Sequence, residues 1–181
     1  LDWWATRRDD LIKMAQANGP CFAIDPDSVD SAAAALNKMT ALGRRFYAIK
    51  ANAHPDILRR LHAAGFGFET VSPGEIDHVR SLFPDLPKER LLYTPNFAPK
   101  GDYAHGFAAN AMVTVDNLHP LEHWPEVFDG REILLRIDPG KGRGHHAHVR
   151  TAGSQSKFGI GPDELDAVSS AVAKANATVF A

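Results

Sequence analysis

A lysine stands directly after an apolar run in the segment FYAIKAN, residues 46–52. The run has the composition of a buried strand, and Lys50 then carries one of the side chains that proteins bury least. A lysine that is partly removed from water has a lowered pKa, and its amine can then form a Schiff base with a carbonyl compound. A lysine at a strand end more often points into solvent, so the segment alone permits both interpretations.

Two further charged residues belong to apolar runs. Glu69 lies near the end of GFETV (67–71), and Arg136 lies inside EILLRI (132–137). A buried guanidinium needs an anionic or acceptor partner. Arg136 therefore contacts either a ligand or a neighbouring carboxylate, for which Glu69 and Asp138 are the candidates.

A long segment rich in glycine, histidine and basic residues, DPGKGRGHHAHVRTAGSQS, follows at 138–156. Loops of this length are usually functional or disordered. Its histidines, at 145, 146 and 148, suggest a metal, but no cysteine or carboxylate pattern supports them. We therefore predict solvent-exposed or substrate-contacting histidines and no metal site.

The elements that must position these residues recur regularly, with apolar runs starting roughly 20 to 23 residues apart, as a βα repeat requires. Ser72 and Glu75 are spaced as a capping box, with a proline at the first helical position. Strands are predicted at 21–25, 45–49, 67–71, 90–94, 111–115, 132–137 and 177–181, and helices at 1–18, 26–42, 55–64, 99–107, 117–127, 162–176 and after Ser72.

Nearly continuous apolar strands that alternate with helices indicate a parallel sheet covered by helices. The regular spacing favours an α/β (β/α)8 barrel of the TIM type. The barrel would be incomplete here, with about six strands, because a full barrel needs eight strands and about 250 residues. A doubly wound sheet is the alternative. We predict a lead-in of helix, strand and helix over 1–43 and the partial barrel over 44–181. Polar residues after each strand, including Thr94, Asn96, Asp116 and Asn117, would then meet at one rim.

Composition excludes several classes of protein. The 181 residues are 44% hydrophobic and 23% charged, with a formal net charge of −2. No basic stripe suggests a nucleic-acid or membrane partner, and no apolar stretch is long enough to span a bilayer. The single cysteine, Cys21, excludes a disulfide framework and is predicted to be a core residue. The chain begins at Leu1 rather than methionine, so we expect a piece of a longer protein.

Three segments carry a resemblance to a known family: FYAIKAN (46–52), FGFETVSPGEI (66–76) and LLRIDPGKGRGHHAHVRTAGSQSKFGI (134–160). They resemble the pyridoxal-phosphate-dependent decarboxylases of the alanine-racemase-like barrel fold. Within these, the chain is most similar to the diaminopimelate decarboxylases, above all the form fused behind an aspartate kinase. The resemblance extends from Cys21 to Ala181.

The resemblance implies a role for particular residues. Lys50 would hold pyridoxal 5′-phosphate as a Schiff base at the end of the first barrel strand. Ala48, Glu69 and Arg136 would complete the cofactor-binding set, with Arg136 near the phenolic oxygen. Many relatives have aspartate where this chain has Glu69. The substrate side of the site would comprise His145, His146, Ser156 and Lys157.

The resemblance also implies a reaction. The α-carboxylate of meso-2,6-diaminopimelate would leave as carbon dioxide, and the product would be L-lysine. Alternatives are decarboxylation of another basic amino acid, ornithine or arginine, and a non-enzymatic barrel domain that carries the cofactor. The expected partners are an amino-acid substrate, a second copy of the chain in a homodimer and a fused aspartate kinase. The expected location is the cytoplasm.

We expect the purified 181-residue chain by itself to bind the cofactor poorly and not to turn over. The family's stacking histidine, phosphate-binding glycine loop and further cofactor ligands would follow residue 181. Carbon dioxide release from diaminopimelate measures this, and robust decarboxylation by the isolated chain would contradict the expectation.

Overall fold

Six parallel strands stand side by side in the order in which they occur along the chain. The computed structural model describes residues 2–139 and 158–180. The strands are β1 (Phe46–Ala48), β2 (Gly67–Thr70), β3 (Leu91–Tyr93), β4 (Met112–Val115), β5 (Glu132–Leu135) and β6 (Thr178–Val179). Sequential order is that of a (β/α) barrel, whereas a doubly wound sheet reverses its order at a switch point. The prediction of an incomplete barrel is confirmed, and the doubly wound alternative is wrong.

Three helices precede β1, and the later helices alternate with the strands and cover one face of the sheet. The helices are α1 (Trp3–Thr6), α2 (Arg8–Asn18), α3 (Pro26–Asn37), α4 (Pro55–Ala63), α5 (Pro73–Leu82), α6 (Lys100–Ala108), α7 (His119–His123), α8 (Pro125–Phe128) and α9 (Leu165–Lys174). The predicted cap of α5 is confirmed, because the Glu75 amide donates to Ser72 Oγ at 3.3 Å and the Val71 amide donates to Glu75 Oε2 at 2.7 Å.

Side chains alternate between two environments along the strands. One alternate set packs beneath the helices and is completely buried: Phe68, Leu91, Tyr93, Val113, Val115 and Ile133. The other set faces the inside of the partial barrel, where Ala48 is paired with Glu69 and Glu69 with Leu92. These three residues are only half-buried. The core therefore lies between sheet and helices, and the inner face is left partly open.

The N-terminal predictions are partly wrong. The predicted helix over 1–18 is divided into α1 and α2, and neither helix has a buried residue. The predicted strand over 21–25 is absent from the described part of the chain, and Cys21 is exposed rather than in the core. A strand needs a neighbour for its backbone hydrogen bonds, and the sheet begins instead at β1.

Two other helices also differ from the prediction. The helix predicted over 26–42 ends at Asn37, and the helix predicted over 117–127 is divided into α7 and α8. The division lies at Trp124, directly before Pro125, and a residue before proline is disfavoured in the helical conformation.

Within residues 2–139 and 158–180, no helix has the length and apolar character needed to cross a membrane.

Gly106 marks the closest approach of α6 to the sheet. A Cβ atom there would lie 2.6 Å from Tyr93 Cδ1 and 3.2 Å from Val113 Cγ2. We expect Gly106→Ala to lower the free energy of unfolding by about 1–3 kcal/mol through overpacking, measured by urea denaturation. Gly101→Ala in the same helix is the matched control, because a Cβ atom there meets nothing within 4 Å. Equal effects of the two substitutions would contradict the packing argument.

Candidate active site

A cleft of about 400 Å³ opens on the inner face of the sheet, towards the carboxyl ends of the strands. It brings together Lys50, Glu69 and Arg136, which come from the ends of β1, β2 and β5. Ala48 lies beside Glu69 in the strand register. The full lining comprises Lys50, Glu69, Val71, Leu92, Thr94, Asn96, Thr114, Leu134, Leu135 and Arg136. The other predicted residues, His145, His146, Ser156 and Lys157, lie outside the residues that the structure describes.

Lys50 stands in a short 3-10 turn, Ile49–Ala51, that follows β1 directly. Its side chain is exposed, so the partial burial that the preceding apolar run suggested is not found; Ile49 is the buried residue of this turn. Two side chains hold the segment after the turn. Tyr47 donates its hydroxyl to the Asn52 carbonyl at 3.3 Å, and His78 Nε2 lies 2.8 Å from the Ala53 carbonyl oxygen.

Glu69 is the carboxylate of the cleft. It is half-buried on the inner face of β2, and its Oε1 accepts a hydrogen bond from the Thr94 hydroxyl. The Thr94 backbone amide donates to the Thr70 carbonyl at 2.8 Å, which continues the ladder between β2 and β3 beyond the last residue of β3. Glu69 is therefore held by a neutral donor from the neighbouring strand.

Arg136 is half-buried just beyond β5. Its Nη1 donates to Asn96 Oδ1 at 2.6 Å, and its guanidinium carbon lies 4.8 Å from the centroid of the Phe158 ring. Among the residues described here, no ion pair joins it to Glu69, so the prediction of Glu69 as its partner is wrong. The observed acceptor is the neutral Asn96 amide, which leaves the arginine charge without neutralisation from Glu69.

Asp116 follows β4 and is buried beside the cleft rather than in its lining. Burial raises the pKa of its carboxyl, while hydrogen bonds from the backbone amides of Asp116 and Phe97, the Asn117 side chain and the Arg136 charge oppose the rise. Asn117 Nδ2 donates to Asp116 Oδ1 at 2.9 Å. Within the described part of the chain, Asp116 Oδ2 has no hydrogen-bond partner.

The predicted set omitted three polar residues of the lining: Thr94, Asn96 and Thr114. The sequence places Thr94 and Asn96 at the predicted rim, after a strand, without indicating a contact with the charged residues. The available signal was the two-residue alternation, because Glu69, Thr94, Thr114 and Arg136 all occupy inward positions. No metal-binding group of three or more His, Cys, Asp or Glu side chains occurs among the described residues.

Comparison with known proteins supports one family. A family model described as "Pyridoxal-dependent decarboxylase, pyridoxal binding domain" matches residues 27–180. A diaminopimelate decarboxylase of Deinococcus radiodurans is 31% identical over 159 residues, which cover 87% of this chain and 41% of that protein. A diaminopimelate decarboxylase of Thermoplasma acidophilum is 36% identical over 121 residues, covering 66% and 29% respectively. The chain thus spans less than half the length of these relatives.

The fold is also similar to that of solved structures. The crystal structure of a diaminopimelate decarboxylase from Helicobacter pylori, complexed with L-lysine, is similar with a TM-score of 0.73 at 20% sequence identity. The similarity covers 86% of this chain and 41% of that one. At this level of identity, it is evidence for the barrel fold alone.

The buried Asp116 carboxyl leads to a prediction about pH. Above about 3.9, the ordinary pKa of aspartate, the unfolded chain releases this proton before the folded chain does, because the folded pKa is raised. The free energy of unfolding therefore falls as pH rises through that window. We expect the stability of the unsubstituted chain, relative to Asp116→Asn, to decrease between pH 4 and 8 in urea titrations. Asp85→Asn at an exposed position is the control, and a pH-independent difference for Asp116→Asn would contradict the assignment.

Proposed function

The chain belongs to the family of pyridoxal-dependent decarboxylases, and on that premise we propose that it is the cofactor-binding part of a diaminopimelate decarboxylase. The reaction would convert meso-2,6-diaminopimelate to L-lysine and carbon dioxide. One observation carries the proposal. An amine, a carboxylate and a guanidinium, from Lys50, Glu69 and Arg136, line one cleft at the carboxyl ends of the strands, where parallel barrels place their chemistry.

The residues of the cleft fit pyridoxal 5′-phosphate. A volume of about 400 Å³ lies within the range of small-molecule sites. The Lys50 amine is exposed to the cleft and is the nucleophile that an aldehyde requires. The Arg136 guanidinium, held by the neutral Asn96, supplies a positive charge for an anionic oxygen. When bound, the cofactor supplies an electron-withdrawing ring that accepts the electrons left by the departing carboxylate.

Each residue then has a proposed task. Lys50 holds the cofactor covalently, and its place in a turn beside the strand end leaves the amine accessible. Arg136 would orient the cofactor through its phenolic oxygen, and Glu69, on the strand next to β1, would lie near Lys50. Ala48, beside Glu69 in the register, has a side chain small enough to leave space above the strand end.

The substrate side of the site is proposed from the resemblance. His145, His146, Ser156 and Lys157 would contact the amino-acid substrate. Phe158, which follows them directly, packs its ring against the Arg136 guanidinium, so the chain returns to the cleft at this point.

A non-enzymatic domain that only carries the cofactor is the competing hypothesis. An exposed Lys50 without a cation beside it would favour that hypothesis. Lys50 is exposed, but Arg136 lines the same cleft and gives it a cation for an anionic ligand. The enzymatic proposal is therefore the better supported of the two.

The setting of the protein is proposed on the family resemblance. Residues 44–181 would form the barrel part and residues 1–43 its lead-in. The natural protein would be a cytoplasmic homodimer whose chain also includes an aspartate kinase. Light scattering of the purified natural protein and an assay of aspartate phosphorylation test the last two points.

Cofactor attachment gives the direct test. The natural protein that carries these residues is incubated with pyridoxal 5′-phosphate, reduced with borohydride and digested, and the labelled peptide is identified by mass spectrometry. We expect the label on Lys50 and its loss in Lys50→Ala. Lys88→Ala is the matched control, because Lys88 pairs with Glu132 at the amino ends of the strands, away from this cleft. Label on another lysine would refute the proposed site.

Substrate choice needs a second measurement. We expect kcat/KM for carbon dioxide release to be at least about tenfold higher for meso-diaminopimelate than for ornithine or arginine, because discrimination between charged side chains depends on paired polar groups. A preference for ornithine or arginine would show that the proposed substrate is wrong but that the reaction is still a decarboxylation. Cofactor attachment without release from any of the three would support the non-enzymatic hypothesis.

A further inference from the structure

We propose that the loop after β3, Thr94–Phe97, is the positioning element of the cleft: Thr94 orients Glu69 and Asn96 orients Arg136. Thr94 contacts Glu69 of the neighbouring strand β2. Asn96 contacts Arg136 just beyond β5, with β4 between their two strands in the sheet. The expected effect on cofactor binding rests on the proposed function, in which Glu69 and Arg136 face the cofactor.

Thr94 is anchored by its backbone before its side chain acts. Its amide donates to the Thr70 carbonyl at 2.8 Å, and its hydroxyl donates to Glu69 Oε1. Threonine is branched at Cβ, and few χ1 rotamers are open to it. The anchored backbone therefore fixes the direction of the hydroxyl, and the hydroxyl selects one orientation of the Glu69 carboxylate.

Asn96 holds Arg136 across 40 residues of sequence. The 2.6 Å bond from Nη1 to Asn96 Oδ1 lies at the edge of the guanidinium, and the Phe158 ring stands 4.8 Å from its central carbon. An edge contact and a ring contact together restrict rotation about the long arginine side chain more than either does alone. A neutral amide restricts it without neutralising the charge, so the positive charge stays available to a ligand.

The conformation of Phe97 shows that the loop is constrained. Its φ is 51°, in the left-handed region, which a non-glycine residue adopts at an energetic cost and which concentrates at functional sites. The Phe97 ring lies 6.1 Å from the Phe158 ring, and the Phe97 backbone opposes the rise in the pKa of the buried Asp116 carboxyl. The loop thus contacts Glu69 on β2 and Arg136 just beyond β5, which is the placement that a positioning element needs.

The competing interpretation is that these hydrogen bonds only stabilise the fold. If the hydrogen bonds are only structural, a variant should lose cofactor affinity only in proportion to its loss of stability. A positioning role predicts a loss of cofactor affinity in variants whose stability is nearly unchanged, because loop residues at an open rim contribute little to the core. The two readouts must therefore be measured on the same variants.

The experiment compares Thr94→Val with Thr94→Ser, and Asn96→Ala with Asn96→Gln, in the natural protein that carries this chain. The readouts are the dissociation constant for pyridoxal 5′-phosphate, the rate of borohydride labelling of Lys50, and the unfolding midpoint without cofactor. We expect Thr94→Val and Asn96→Ala to weaken binding about tenfold or more, the effect of losing a hydrogen bond to a charged group. Their unfolding midpoints should stay within about 4 °C of the unsubstituted protein.

The conservative variants and a control complete the design. Thr94→Ser keeps the hydroxyl and Asn96→Gln keeps a neutral amide oxygen as acceptor, so both should recover most of the affinity. Thr40→Val, at an exposed position outside the cleft, should change neither readout. Wild-type affinity in Thr94→Val and Asn96→Ala, or equal losses in the conservative variants, would overturn the proposal.

Failure of the proposed function is distinguishable from failure of this inference. If the unsubstituted protein binds no cofactor at all, the proposed function is wrong. The contact itself is then tested by a double-mutant cycle of Asn96→Ala and Arg136→Met on the unfolding midpoint. Non-additive shifts support the held arginine, and strictly additive shifts overturn it.

Discussion

The alternation of side chains along six parallel strands is the constraint on which the rest of this structure depends. One set of positions is buried beneath the helices and contains only apolar and aromatic side chains, apart from the threonine of β2. Because successive residues must point to opposite faces, the other set is committed to the inner face. That face is where a charged residue such as Glu69 or Arg136 can be accommodated without entering the core.

Charged groups on a half-open face still need partners. Glu69 and Arg136 meet the requirement with neutral partners, a threonine hydroxyl and an asparagine amide, rather than with each other. Direct pairing would satisfy both charges but would remove them from reach of a ligand. Asp116 shows the other outcome, since its carboxyl is buried and its pKa is raised accordingly. The contrast is between two charges on the half-open face and one that the fold encloses.

The proposed chemistry needs few groups from this chain, since the cofactor would supply the electronics. What the chain contributes is an accessible amine on a tethered turn, a positive charge held in a defined orientation, and a carboxylate across the cleft. The loop after β3 links two of these three groups. Lys50 is exposed, which suits a residue that an aldehyde must reach. The apolar run before it contributes the buried Ile49 to the core.

The repeating βα pattern, the caps and the order of apolar runs were predictable from the sequence, because they follow from local propensity and from a period of two residues. The candidate Lys50, Glu69 and Arg136 were predictable for the same reason, as charges at known points of strands. Local patterns could not show that residues 21–25 have no neighbouring strand, or that Cys21 is therefore exposed. Nor could they show that Asn96, rather than Glu69, holds Arg136. Those outcomes depend on which residues meet across the sheet, and only the tertiary structure decides that.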